Sequence, residues 1–172
     1  MTGESVDVAI LGAGPAGWTA AALLAGAGAR VALIDKEEFP RDKVCGEFLS
    51  YDALPLLEPL GVVAELDRLQ APTIDICRII TRSGVNEFDL PTPARGISRC
   101  QFDEILLRAA GARGAEIREG WTAGEAERSG NLFSVTGSHR TGETVQLEAR
   151  AVLGSWGRGG GGAHQIRRRY AP

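Results

Sequence analysis

The chain has 172 residues, 44% hydrophobic and 24% charged, which suffices for one globular domain with a substantial core and argues against disorder of the whole. A formal net charge of -3 leaves no electrostatic footprint for nucleic acid, despite the local run Arg167-Arg168-Arg169. Three cysteines, Cys45, Cys77 and Cys100, are odd in number and lack C-x-x-C spacing, and His139 and His164 add no ligand pattern, so neither a disulfide framework nor a zinc site is indicated.

The chain opens with Val6-Asp7-Val8-Ala9-Ile10-Leu11, which has strand composition, and passes into Gly12-Ala13-Gly14-Pro15-Ala16-Gly17. An alanine-rich helix is predicted from about Ala16 to Ala27, with Gly26 and Gly28 as stop signals. A second strand, Arg30 to Ile34, ends at Asp35. Alone, G-x-G-x-x-G is a weak motif; strand, glycine turn, small-residue helix, strand and terminal acid in that order make a dinucleotide-binding βαβ unit. Gly12 permits the tight turn, Gly14 lets backbone amides approach a pyrophosphate, and Gly17 lets the helix pack close to the sheet. The helix N-terminus favours the anion, and Asp35 is placed to accept hydrogen bonds from a ribose diol. The plain alternative is an ordinary glycine turn closing a βα unit.

A polar loop follows from Lys36 to Gly46, then Ser50 as N-cap of a helical stretch through Leu56 and Leu57, kept short by Pro55 and Pro59. Segments 74–80 and 85–90 have strand composition, joined by Thr81-Arg82-Ser83-Gly84 as a hairpin turn, with Pro91 and Pro93 expected to end the second strand. Phe102, Ile105, Leu106, Ala109 and Ala110 recur at helical spacing within 101–112, and a strand follows at 115–118. Three strand-like segments near 121–126, 132–137 and 144–148 suggest a β-meander, and 151–153 reads as a separate brief strand. Gly159 to Gly162 and the arginine cluster read as a flexible tail over 159–172. Glu4 and Asp7 occupy the place of a basic leader region, and Pro15 with the glycines interrupts the apolar run, so a cytoplasmic protein without an integral membrane segment is expected.

The loop Phe39-Pro40-Arg41-Asp42-Lys43-Val44-Cys45-Gly46-Glu47 is the second informative stretch. Arg41 and Lys43 can meet phosphate charge, and Gly46 permits close approach of a flat ring; the bland reading of the loop is a solvated charged segment. Together with Gly12–Gly17, Asp35 and the segment Ser98-Arg99-Cys100-Gln101-Phe102-Asp103, it resembles the FAD-dependent oxidoreductases built like p-hydroxybenzoate hydroxylase. These include aromatic monooxygenases, flavin-dependent halogenases and geranylgeranyl reductases, and Cys45-Gly46-Glu47 looks most like the last two branches.

The resemblance implies an α/β, Rossmann-type FAD-binding fold with a parallel sheet plus a β-meander over 1–158, in which a hairpin over 73–97 reaches toward the substrate side. It implies cofactor contacts at Gly12, Ala13, Gly14, Pro15, Ala16, Gly17, Asp35, Lys36, Arg41, Cys45, Gly46, Arg99 and Ala123. Among these the turn would hold the pyrophosphate, Arg41 the phosphate or ribityl region and Ala123 the adenine, while Cys45-Gly46 would border the flavin. The implied activity is flavin-mediated redox chemistry on a small organic or isoprenoid substrate, with NAD(P)H as a possible reductant. An NAD-dependent dehydrogenase and a non-catalytic nucleotide-binding remnant are the alternatives. Cys45 and Glu47 are the only side chains near the flavin to consider for chemistry, and Cys45 reads equally as a small buried hydrophobe. In place of the family's usual Gly-Ala-Asp-Gly, the chain has Gly154-Ser155-Trp156-Gly157, with Trp156 for the aspartate. The remaining sheet, a second flavin motif and most of the substrate pocket lie downstream in the family, so the chain resembles the amino-terminal part of a larger flavoenzyme. An open sheet edge is then expected to give poor solubility or oligomerisation.

Overall fold

A computed structural model describes residues 4–157 of the protein. The expected tail over 159–172 lies outside the described residues. The first strand, β1 (Glu4–Leu11), turns into α1 (Pro15–Gly26) and returns as β2 (Val31–Ile34), as the opening motif requires. Pro15 sits in the first turn of α1, where its missing amide would have had no intrahelical partner. Gly17, Trp18, Ala21, Ala22 and Ala25 share the buried face, so helix and sheet approach closely through small side chains.

Beyond β2 the chain crosses the polar loop to β3 (Phe48–Leu49). Ser50 accepts from the Asp52 amide and caps a 3-10 turn, which leads into α2 (Leu54–Leu57) and a second 3-10 turn at Glu58–Leu60. Both prolines fall at the starts of these short pieces, so the expected helical stretch is broken into single turns. Next comes α3 (Val63–Arg68), which carries too few apolar positions to announce itself.

The hairpin consists of β4 (Thr73–Thr81) and β5 (Gly84–Gly96). Contrary to expectation, Pro91 and Pro93 do not end β5. Ile74 pairs with Ala94 and Ile76 with Asp89, so residues 90–93 oppose Asp75 alone. The ladder is interrupted at this bulge, and the two missing amides cost no cross-strand hydrogen bond.

Then follow α4 (Arg99–Ala112), β6 (Glu116–Arg118), β7 (Trp121–Ser129), β8 (Leu132–His139) and β9 (Thr144–Gly154). Ser98 caps α4 by accepting from the Gln101 amide at 3.2 Å, and its hydroxyl meets the Gln101 side chain in a variant of the capping box. The segments 144–148 and 151–153 are one strand, not two. The first half of β9 pairs antiparallel with β8, and from Leu147 onward it pairs parallel with β1, so a neighbour holds it along its whole length. Arg150, which lies between the two expected strands, points its guanidinium to the surface, 3.6 Å from Asp7.

The main sheet has the order β6-β2-β1-β9-β8-β7, parallel from β6 to β9 and antiparallel beyond; β3-β5-β4 form a second, antiparallel sheet. Side chains alternate across the parallel strands. Ile10 and Leu33 face α1 and α4, where Trp18, Ile105 and Leu106 fill the larger core. Ala9, Leu11, Ala32 and Ile34 face the other way, onto Ala126, Val135, Leu147 and Ala149 of the meander. Burial on both faces accounts for the near-continuous apolar runs of β1 and β2.

Candidate dinucleotide site

The parallel strands deliver the turn and the acid to one end of the sheet. Gly12 has φ +109, and a Cβ built on it would lie 2.7 Å from backbone atoms of Ser155 and Trp156; one on Gly17 would lie 2.1 Å from the Gly12 carbonyl oxygen. Side chains are excluded at both positions by packing, and at Gly12 by conformation as well. Gly14 differs. Its added Cβ would meet only the Ser155 carbonyl oxygen, at 4.0 Å, so this side of the turn is open. Gly14 is the N-cap of α1 and no side chain caps the helix, leaving its end, with the positive end of the macrodipole, available to an anion.

Asp35 joins this turn directly. Its Oδ2 accepts from the Ala13 amide at 2.6 Å and its Oδ1 from the Glu37 amide at 2.9 Å. A carboxylate offers roughly four acceptor positions, so about two remain for hydroxyl donors. Arg41 places Nη2 3.9 Å from Asp35 Oδ2 and stacks its guanidinium 4.9 Å from the centre of the Phe39 ring, which also meets Trp18 edge-to-face. Arg41 Nε is buried without a hydrogen-bond partner, an orphaned donor beside the turn that an anionic ligand can satisfy.

Arg99 is the first residue of α4 and forks onto Asp103 with two bonds of 2.8 Å. Asp103 is completely buried. Those hydrogen bonds hold the Arg99 guanidinium above its ordinary value, with smaller contributions from Cys45, so the thiol loop lies beside this pair. Cys45, Gly46 and Glu47 are all exposed, and Glu47 adopts φ 52 while its carbonyl accepts from the Ile97 amide at 2.9 Å. Ala123 lies on β7, whose first residue, Trp121, donates to the Asp35 carbonyl at 2.9 Å, so this strand starts at the acid. Lys36 is exposed, with its ammonium 3.8 Å from Glu37. Two contributors stand in segments singled out from the sequence without being given a role there. Asp103 was legible as an i,i+4 partner of Arg99, whereas Ser155 carried no local signal.

A parallel sheet, a glycine turn at a bare helix N-terminus and an acid bonded to that turn define a Rossmann-type dinucleotide-binding protein. Residues 5–169 match the family described as FAD binding domain, and the chain belongs to that family. It is 36% identical over 120 residues to menaquinone reductase of Mycobacterium tuberculosis, covering 66% of this chain and 29% of the relative. It is 32% identical over 159 residues to digeranylgeranylglycerophospholipid reductase 1 of Methanothermobacter thermautotrophicus, covering 88% and 39%. Over 119 residues it is 34% identical to a 1H-pyrrole-2-carbonyl-[peptidyl-carrier protein] brominase of Pseudoalteromonas luteoviolacea, covering 68% and 29%. Among solved structures it superimposes on the flavin-dependent halogenase CmlS with TM-score 0.81 and 26% identity, over 95% of this chain and 31% of that one. The myxobacterial halogenase CndH shares the fold with TM-score 0.81 at 24% identity, over 92% and 38%. The chain thus spans under two fifths of the length of each of these proteins.

Proposed function

We propose that the chain binds FAD with the pyrophosphate over the Gly12–Gly17 turn and the adenosine ribose on Asp35, as the cofactor domain of a flavin-dependent oxidoreductase. The observation that carries this reading is the 2.6 Å hydrogen bond from the Ala13 amide to Asp35, which binds the ribose acid and the phosphate turn into one rigid unit. Around it, Arg41 serves the phosphate or ribityl region, Cys45 and Gly46 border the flavin, Arg99 supports that border and Ala123 meets the adenine. Bound FAD supplies hydride and oxygen chemistry; the chain's residues bind and orient. Relatives named for reducing menaquinone and a digeranylgeranyl lipid favour a small organic or isoprenoid substrate; the reductant proposed with it is NAD(P)H. Three free cysteines suit the cytoplasm.

The test is the visible spectrum of the purified chain after incubation with excess FAD and desalting. Retained flavin absorbance is expected, and Gly14→Val is expected to abolish it with an unchanged circular-dichroism melt, since the added side chain begins in open space. A folded wild-type chain that emerges colourless overturns the reading.

A further inference from the structure

We infer that the Ser155 hydroxyl is a positioning residue for the dinucleotide site, acting through the Gly12–Ala13 peptide on Asp35. Ser155 follows β9, 143 residues beyond Gly12 in the chain. Its Oγ donates to the Gly12 carbonyl and lies 3.3 Å from the Leu11 carbonyl, while its backbone amide donates to Leu11 at 2.8 Å. On the other side of the same peptide unit, the Ala13 amide donates to Asp35 Oδ2.

A trans peptide points its carbonyl and amide in opposite directions, so a plane held at both ends cannot rotate. Ser155 holds the carbonyl end and Asp35 the amide end. The arrangement fixes two things together. It directs the Gly12 oxygen inward, where a Cβ on Gly17 would fall 2.7 Å from Ser155 Oγ, so that oxygen is kept away from an incoming phosphate. It also commits one lone pair of Asp35 to the turn and so orients the carboxylate that remains for a ribose. Glycine at position 12, with φ +109, does not by itself resist rotation of this peptide; the hydroxyl does. The sequence pattern that the chain otherwise resembles has alanine at this point, where this chain places a hydroxyl.

The inference rests on the FAD reading for its functional consequence, and the experiment separates the two. Ser155→Ala and Ser155→Thr are compared with the wild-type chain by hydrogen exchange of the amides of residues 11–18 without cofactor, and by FAD titration. In the alanine variant, exchange at Ala13 is expected to accelerate at least tenfold and FAD to bind about tenfold more weakly, while exchange in β2 and α4 stays unchanged. The threonine variant, which keeps the hydroxyl, is expected to restore both. Unchanged exchange at Ala13 overturns the inference whatever FAD does, and so does general loss of folding in the alanine variant. Faster exchange at Ala13 in a chain whose wild type takes up no FAD supports the clamp and overturns the cofactor reading instead.

Discussion

Asp103 has no exposed surface, and a buried carboxylate is tolerated only because Arg99, four residues earlier on α4, delivers a two-pronged guanidinium to it. Removing the acid leaves a guanidinium that is itself largely covered, with 15% of its side chain exposed. Asp103→Ala is therefore expected to lower the free energy of unfolding by about 3 kcal/mol, because the remaining charge loses its partner without gaining water. Urea denaturation measures this, and a loss below about 1 kcal/mol would mean that solvent reaches Arg99 once the acid is gone. Both residues lie in the segment Ser98–Asp103 singled out from the sequence, yet only the arginine was assigned a role. The acid's role depends on its burial, which the helical pattern of its apolar neighbours implies but does not state.

Strand β1 is tied at its outer end by charge. Glu4 meets Arg118 of β6, and Asp7 accepts from the Arg30 amide at 2.9 Å before β2. The Arg118 hydrogen bond holds the Glu4 carboxyl below its ordinary 4.5, and the Arg30 amide holds Asp7 below its ordinary 3.8. In the unfolded chain both bind protons more readily, so their contribution is complete above about pH 5 and is lost as pH falls through the depressed values. The melting temperature is expected to drop between pH 5 and 3 on the order of a few degrees, less steeply in a Glu4→Gln, Asp7→Asn double variant. Equal slopes in the two proteins would remove these ties from the account. The βαβ unit was legible from the sequence to within about a residue at the ends of its helix because its signals are local: glycines, a small-residue helix, apolar runs, an acid. The prolines of β5 and the continuity of β9 were not, because both depend on a partner strand. A bulge in β4–β5 absorbs Pro91 and Pro93, and β1, far away in sequence, holds β9 past Arg150.

At the scale of the molecule, the β4–β5 hairpin stands apart from both cores. Ile80 and Val85 face each other across it with 74% and 59% exposure, Ile76, Ile79 and Phe88 are each about half exposed, and β4 is an open edge. Exposed apolar surface beside unpaired backbone groups promotes association between chains. The chain is expected to elute from size exclusion with light scattering as oligomers, and an Ile80→Lys, Val85→Glu variant, which replaces one apolar cross-strand pair by a charged one, is expected to shift it toward monomer. A wild-type monomer at micromolar concentration would show that the hairpin is harmless.

The parallel pairing of β1 with β9 also sets an order of events. Glu4–Leu11 leaves the ribosome well before Thr144–Gly154, and a sheet that joins such distant segments must close a long loop before any ladder bond rewards it. The early chain can form α1 and pair β1 with β2, but the wall that Ser155 builds against Gly12 arrives only after β9 has been made. A phosphate turn held at both ends of its Gly12–Ala13 peptide therefore waits on the pairing of β1 with β9, however early the βαβ unit itself forms.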